Sequence, residues 1–275
     1  MMTGLLGVTS QAVSYEYQPL VGQDAIRLLV LHPAEDLKAK VKCSIVYTTL
    51  RECDDDIIEH YSALSYVWGN PDDTRVISVE GRDFEITANL DSALRHIRNS
   101  RRNHRIWADA VCINQSDDME KSQQVKQMGD VYRFAHNTII YLGESTLETD
   151  QLLLSARSLG GSSEYSLAWI LLLERPWFTR VWIYQELMFS RDPWVQCGIV
   201  RVRWDRFFGA SSSHESFTSR VEPWKTFHTL ATERRNLVTS LKQKDEHPFS
   251  DSLLRVLEAR RGLGGELFIC SPPSF

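Results

Sequence analysis

Glu186 is the residue of this chain whose surroundings point most directly to chemistry. It lies in the segment Arg175-Pro-Trp-Phe-Thr-Arg-Val-Trp-Ile-Tyr-Gln-Glu-Leu187, which is rich in large apolar and aromatic side chains. A carboxylate in such surroundings must find a partner or take a raised pKa. Carboxyl groups of this kind are frequent in active sites, so Glu186 is a candidate catalytic residue. The competing interpretation is a structural ion pair with Arg180 or Arg175.

The spacing within this segment predicts a single helix with aromatic residues beside the acid. Phe178, Trp182 and Glu186 are four residues apart, which would place them on one helical face. Ile183 and Phe189 would lie next to them. The rest of the fold must then position this helix.

The elements before this segment alternate between strand and helix from about residue 61 to residue 143. Apolar runs predict buried strands at 61–68, 106–113 and 138–142. Helical periodicity begins near Asn89 and again at Asp117, where Glu120 has capping-box spacing, and the second helix runs to His136. This order predicts an α/β fold with a parallel sheet and helices on both faces.

Further elements are expected on both sides of this core. Residues 25–32 and 41–47 predict two strands that form an antiparallel edge, and Glu80-Gly81 predicts a hairpin turn. Later segments predict helices at 152–159 and 167–173, a strand at 194–197, a loop at 211–213, and helices at 224–241 and 252–261. We therefore divide the chain into an irregular lead-in (1–24), a main domain (25–205) and a helical C-terminal extension (206–275).

Ligands of an open parallel sheet bind beyond the carboxyl ends of its strands. The ends of the first two predicted strands carry distinctive residues: Tyr66, Trp68, Gly69, Asp109, Asn114 and Gln115. Asp109 interrupts an apolar run and needs a partner if it is buried. It either organises the crevice for catalysis or fixes the turn at Trp68 and Gly69, and the sequence leaves both roles open. Trp68 likewise either stacks on a ligand or belongs to the core.

The composition argues against several other functions. The 275 residues carry a net charge of -5 without a long basic cluster, so we expect no nucleic-acid partner. The five cysteines form no C-x-x-C pair and lack histidines at zinc-site spacing, so we expect no metal and a reducing, cytoplasmic setting. Cys112, within a predicted buried strand, is expected to be an inert thiol. No segment has the roughly 20 apolar residues that span a membrane.

Three separated blocks closely resemble the signature blocks of the fungal heterokaryon incompatibility (HET) domain. They are residues 61–69 (Tyr-Ser-Ala-Leu-Ser-Tyr-Val-Trp-Gly), residues 105–115 (Arg-Ile-Trp-Ala-Asp-Ala-Val-Cys-Ile-Asn-Gln) and residues 175–186. The blocks agree in type, order and spacing, and the resemblance covers about residues 25–200. That family is associated with non-self recognition between fungal strains and the cell death that follows, which the resemblance implies here.

HET domains look like distant relatives of the TIR domain, so the resemblance implies a flavodoxin-like or TIR-like parallel sheet with extra N-terminal strands and helical insertions. TIR enzymes that break down NAD carry a glutamate in the pattern S-x-W-C-x-x-E. Trp182 and Glu186 keep that spacing, whereas Arg180 and Ile183 replace the serine and the cysteine. The resemblance implies that Glu186 is catalytic and that NAD is a substrate rather than a cofactor.

In this hypothesis the Glu186 carboxylate stabilises the positive charge that develops on ribose when its bond to nicotinamide breaks. Asp109 would organise the cleft. The substrate-binding residues would be Tyr66, Trp68, Gly69, Asp109, Asn114, Gln115 and Trp182.

Two alternatives to an active enzyme remain open. The first is a non-catalytic death-signalling module that self-associates or binds a partner such as a non-self sensor. TIR enzymes act as assemblies, so the resemblance also implies a homo-oligomer. The second is an inactive, truncated copy, because the family's D-P-R-D-x-V-Y-A-L-like segment has no counterpart here and residues 262–275 resemble read-through sequence.

Overall fold

The computed structural model describes residues 15–55, 60–158, 166–180, 182–212 and 222–243. Within these ranges the strands are β1 (Ala25–Leu31), β2 (Lys42–Thr49), β3 (Ser62–Ser65), β4 (Thr74–Val79), β5 (Arg82–Thr87), β6 (His104–Trp107), β7 (Asn137–Tyr141), β8 (Pro193–Cys197) and β9 (Val200–Arg203). They form a nine-stranded sheet in the order β5-β4-β2-β1-β6-β3-β7-β8-β9.

Helices flank this sheet. The α-helices in the described ranges are α1 (Leu50–Asp54), α2 (Ala88–Ile97), α3 (Asp109–Cys112), α4 (Asp118–Phe134), α5 (Leu147–Arg157), α6 (Ser166–Leu173), α7 (Ile183–Met188), α8 (Trp204–Ser212) and α9 (Glu222–Gln243). A 3-10 helix spans Pro176–Thr179. Among the helices described, none is long and apolar enough to cross a lipid bilayer.

A parallel block lies in the middle of the sheet. β3 pairs in parallel with β6 on one side and with β7 on the other, and β7 pairs in parallel with β8. The block reads β6-β3-β7-β8 across the sheet. Numbered by their position in the chain, these four strands have the order 2-1-3-4, with which flavodoxin-like doubly wound sheets begin. The predicted α/β fold is thus confirmed. The reversal of strand order lies between β3 and β7, where such sheets bind ligands.

The predicted N-terminal strand pair is antiparallel as expected, but its position at the sheet edge was wrong. β1 also pairs with β6, and β2 also pairs with β4, so both strands lie inside the sheet. The hairpin of β4 and β5 extends the sheet beyond them. At its turn, Glu80 and Gly81 both have positive φ angles, 53° and 82°. This is the turn chemistry that closes a two-residue hairpin.

The apolar run 106–113 is not one strand. β6 ends at Trp107, and Asp109–Cys112 forms the short helix α3. A continuous apolar run has no periodicity that separates a buried strand from a buried helical turn. The Cys112 side chain is fully buried, and this burial raises the pKa of its thiol to about 12, which is consistent with an inert core cysteine.

Other predicted elements agree with the structure to different degrees. Asp117 caps α4 by accepting hydrogen bonds from the Met119 and Glu120 amides, but Glu120 turns toward Arg27 instead of completing a capping box. The predicted loop at 211–213 is wrong at its start, because α8 extends to Ser212, and β9 was not predicted. The expected helix at 252–261 and the tail at 262–275 lie outside the described residues.

Candidate functional site

Glu186 lies on α7 and is 2% exposed. The single helix predicted across 175–187 is wrong. Pro176 starts a separate 3-10 helix, since proline disfavours a helical conformation in the preceding residue and Arg175 is extended (φ -57°, ψ 140°). Arg180 is extended as well (φ -73°, ψ 142°), and α7 begins after Trp182. Phe178 and Glu186 therefore belong to different helices.

The break in the segment lets Arg180 reach the Glu186 carboxylate. Its Nη1 donates to Oε2 at 3.0 Å, and its Nη2 donates to Oε1 at 2.9 Å. Such two-point pairing between arginine and a carboxylate is strong and oriented. The ion pair with Arg180 is thus confirmed, whereas Arg175 donates to the carbonyls of Leu142 and Glu144 at 3.3 and 3.0 Å.

Ser65 supplies a third hydrogen bond to Glu186. This serine is the last residue of β3 and is fully buried, and its hydroxyl donates to Oε2 in a short contact. The hydroxyl oxygen of Ser65 in turn accepts a hydrogen bond of 2.6 Å from Nε1 of Trp177. A chain of donors therefore runs from the 3-10 helix through β3 to α7, and it fixes the carboxylate relative to the centre of the sheet.

Burial and charge act in opposite directions on the ion pair. Burial is the largest influence on the pKa of Glu186 and raises it, while Arg180 and Ser65 act to lower it. Burial would lower the pKa of Arg180, yet the nearby Glu186, Tyr132 and Asp109 raise it above its ordinary value. The guanidinium is therefore charged, and its charge is what favours an ionised Glu186.

Asp109 holds the turn that follows β3. Its Oδ2 accepts a 2.8 Å hydrogen bond from Nε1 of Trp68, and its Oδ1 accepts one of 2.9 Å from the Ala110 amide. Burial of the carboxyl raises the pKa of Asp109, opposed by the bond from Trp68 and by Arg180, although the residue keeps some accessible surface. The role of fixing the Trp68 turn is thus observed. Asp109 also raises the pKa of Glu186, so both acids belong to one electrostatic site.

Tyr66 and Gln115 join Asp109. The Tyr66 hydroxyl is buried near the Asp109 carboxyl without reaching regular hydrogen-bond geometry, and burial together with Asp109 raises the pKa of Tyr66 well above its ordinary value. The side-chain amide of Gln115 donates to the Asp109 carbonyl at 2.9 Å. An unsatisfied buried hydroxyl at this point is a polar group that a ligand could pair with.

Gly69 and Trp182 border the site in different ways. Gly69 has φ +81°, and a Cβ atom there would come 3.0 Å from the side-chain nitrogen of Asn89. This position therefore favours glycine. Trp182 accepts a 3.2 Å hydrogen bond from the Glu186 amide through its carbonyl, and its side chain is partly buried.

Asn114 lies outside this site. Its backbone amide donates to the Glu120 carboxylate at 2.7 Å, and Glu120 forms a salt bridge with the fully buried Arg27. Together they line a cleft of about 240 Å³ that also includes Tyr17 and Gln124. Glu186 does not line this cleft. Among the residues that the structure describes, no three His, Cys, Asp or Glu side chains are grouped as a metal site.

A model of the heterokaryon incompatibility protein (HET) family matches residues 61–186. These residues are thus similar to a HET domain. The match begins one residue before β3 and ends at Glu186 itself, so Ser65, Asp109 and Glu186 all lie within it.

The chain is also similar to a curated protein. Heterokaryon incompatibility protein 6, OR allele, of Neurospora crassa is 28% identical over 229 residues, covering 63% of this chain and 33% of the relative. This chain therefore spans about a third of the length of the relative it matches. No solved structure matches the chain.

Each of the three sequence blocks that resemble the HET family contributes to the site. The first block brings Ser65 and Trp68, the second brings Asp109, and the third brings Arg180 and Glu186. Sequence reasoning missed Ser65 and Trp177. The signal that was available for Ser65 is that it is a hydroxyl residue at the end of an otherwise buried strand, and buried hydroxyls need partners.

Proposed function

We propose that this chain acts in fungal non-self recognition, as an effector domain of the cell death that follows incompatibility. The HET family match supports this role, as does the relative whose name describes heterokaryon incompatibility. The chain spans about a third of that relative, so the activity and partners of the whole protein belong to the proposal as well. A non-self sensor protein is the expected partner.

We further propose that the domain hydrolyses NAD at the bond between nicotinamide and ribose. The observation that carries this proposal is the buried Glu186, held by Ser65 at the carboxyl end of the central parallel strand. Ligands of doubly wound sheets bind at this end of the strands, where the strand order reverses. The spacing of Trp182 and Glu186, similar to that of TIR enzymes, adds support.

The chemistry suits a carboxylate in these surroundings. As the glycosidic bond breaks, positive charge develops on the ribose, and an ionised Glu186 close to it stabilises that charge. Nicotinamide leaves as a neutral molecule, so a strong general acid is not needed. Trp68, whose ring nitrogen donates to Asp109, and Trp182 are aromatic residues that both keep some accessible surface.

The test is to incubate the purified chain with NAD and measure the release of nicotinamide by chromatography. Glu186→Gln keeps the shape of the side chain but removes its charge, and we expect nicotinamide release to fall at least about a hundredfold, as when one electrostatic group of an active site is lost. Glu148→Gln is the matched control, since Glu148 is an exposed acid in the first turn of α5. Equal rates in Glu186→Gln and wild type would exclude the catalytic role.

A second candidate function is a non-catalytic signalling module that self-associates. It is favoured by the closed state of the site, in which Glu186 is 2% exposed and accepts three hydrogen bonds. If this function is correct, cell death on expression persists in Glu186→Gln while cellular NAD stays constant. Size-exclusion chromatography of the two proteins at several concentrations would then reveal the homo-oligomer.

A further inference from the structure

The last two strands of the sheet carry a basic face that takes no part in the candidate functional site. β9 reads Val200-Arg201-Val202-Arg203, and successive side chains of a strand point to opposite faces of the sheet. Val200 and Val202 are buried in the apolar core. The two arginines therefore share the other face, where Arg201 lies opposite Gln196 of β8.

Arg201 is a partly buried cation without a negative partner. Its Nε donates to the side-chain oxygen of Gln196 at 2.7 Å. Within the described ranges, its two terminal nitrogens have no hydrogen-bond acceptor, and no carboxylate forms a salt bridge with it. Burial, and after it the positive charge of Arg157, lowers the pKa of Arg201 to about 10, so the guanidinium is still charged at neutral pH. Since buried charges are normally paired, this one has room for a counter-charge that a ligand supplies.

Arg157, the last residue of α5, brings a second cation to the same place. Its Nε donates to the backbone carbonyl of Arg201 at 2.6 Å. In the part of the chain that the structure describes, its other two nitrogens have no acceptor, and the residue is exposed. Because the charge of Arg157 lowers the pKa of Arg201, the two guanidinium groups are near each other. Two like charges at close range repel, and an anion between them removes that repulsion.

Arg203 shows how an arginine on the same face is satisfied without a ligand. Its Nη2 lies 3.5 Å from the Asp192 carboxylate, and its guanidinium lies over the ring of Trp194 at 5.1 Å. Arg201 has neither kind of partner. The two arginines of β9 therefore differ in pairing although they share a strand and a face.

We propose that Arg201 and Arg157 form an anion site at the β8–β9 end of the sheet and that this site takes a phosphate group. Each guanidinium presents paired donors that match the oxygens of phosphate. Together the two groups carry two positive charges, which suits a phosphate monoester of about -1.5 to -2 at neutral pH better than a singly charged carboxylate. Arg201 follows the residues that the HET family model matches, and the proposal does not depend on NAD hydrolysis.

The experiment titrates the purified chain with inorganic phosphate by calorimetry at neutral pH. Sodium chloride is held at about 0.15 M, which screens unspecific attraction to exposed charges. We expect saturable binding by wild type and an affinity about tenfold or more weaker in Arg201→Gln, because hydrogen bonds to a charged group are lost. Arg203→Gln is the matched control, since it removes the neighbouring arginine that Asp192 already pairs, and it should keep the wild-type affinity.

Two more variants keep the test decisive if Arg201→Gln does not fold. Arg157→Gln changes an exposed side chain and should also weaken phosphate binding about tenfold or more. Glu186→Gln should bind phosphate as wild type does, because the two sites share no residue. Absence of saturable binding by wild type, or a phosphate affinity that survives the loss of either arginine, would overturn the inference. A loss of affinity in Glu186→Gln would place the phosphate at the candidate functional site and overturn it as well.

Two further probes identify the source of the phosphate group. Glycerol phosphate is a soluble monoester, and phosphatidylcholine vesicles that contain phosphatidic acid present the same group on a membrane surface. Tighter binding of glycerol phosphate than of inorganic phosphate would assign the site to a small soluble ester. Sedimentation with the phosphatidic acid vesicles that is lost in Arg201→Gln would assign it to a lipid headgroup.

Discussion

At the scale of single residues, Glu186 forms the ion pair that its sequence surroundings allow, and this pair does not conflict with the proposed catalytic role. Its hydrogen bonds to Arg180 and Ser65 satisfy a carboxylate that burial would otherwise neutralise. A carboxylate fixed in this way is also preorganised, because no reorientation is needed when charge develops beside it. The ion pair is therefore compatible with catalysis wherever a substrate can replace Arg180.

Ser65 connects two buried groups, so its removal should be costly. Ser65→Ala leaves Nε1 of the buried Trp177 without an acceptor, and we expect the free energy of unfolding to fall by about 1–3 kcal/mol. Urea denaturation of Ser65→Ala, Trp177→Phe and the double variant measures this. Because both changes break the same hydrogen bond, the double variant should lose less than the sum of the two. Additive losses would show that the Trp177 bond contributes nothing.

At the scale of elements, the turn after β3 sets the position of Trp68. Gly69→Ala would strain a backbone at φ +81° and bring its methyl group against Asn89. The backbone strain alone costs roughly 1–2 kcal/mol, so we expect the free energy of unfolding to fall by more than this amount. Gly81→Ala is the matched control, with φ +82° and open space around it. Melting temperatures of both variants measure the difference. Equal shifts would mean that Asn89 moves away without cost.

Elements of the parallel block could be predicted from the sequence because each is an apolar run bounded by turn residues. The residues at which these elements begin and end could not be predicted. The run 106–113 gives no signal at Ala108, where β6 passes into α3, and the 175–187 spacing conceals the break at Arg180. For the site, Glu186 and Asp109 stood out as acids among apolar neighbours. Ser65 did not, because its partner Glu186 lies 121 positions further along the chain and tertiary contacts create its role.

At the scale of the whole molecule, the centre of the sheet is what assembles the site. β3 lies between β6 and β7, so residues that follow β3 and β6 meet at the same edge, as Trp68 and Asp109 do. α7 brings Glu186 back to this edge after the chain has passed through α5 and α6. The three blocks that resemble the HET family are therefore far apart in sequence but adjacent in space.

The stability of the whole molecule should depend on pH through His104, which joins β6 to β3. Its Nε2 lies 2.9 Å from the Ser62 hydroxyl. Burial, and to a smaller extent Arg201, lowers the pKa of His104 below its ordinary value. The folded protein thus binds fewer protons at this residue than the unfolded chain. The resulting stabilisation is complete above the unfolded pKa of about 6.5 and is lost as the pH falls through the folded pKa.

Urea denaturation of wild type and His104→Gln from about pH 7.5 down to about pH 5 would measure this contribution. Glu186 and Asp109 act in the opposite direction, because their raised pKa values favour the folded state at low pH. Both acids are present in wild type and in His104→Gln, so their contributions cancel when the two pH curves of unfolding free energy are subtracted. We expect the free energy of unfolding of wild type to decrease more steeply with falling pH, by up to about 1.4 kcal/mol per pH unit. Parallel curves would mean that His104 has the same pKa folded and unfolded.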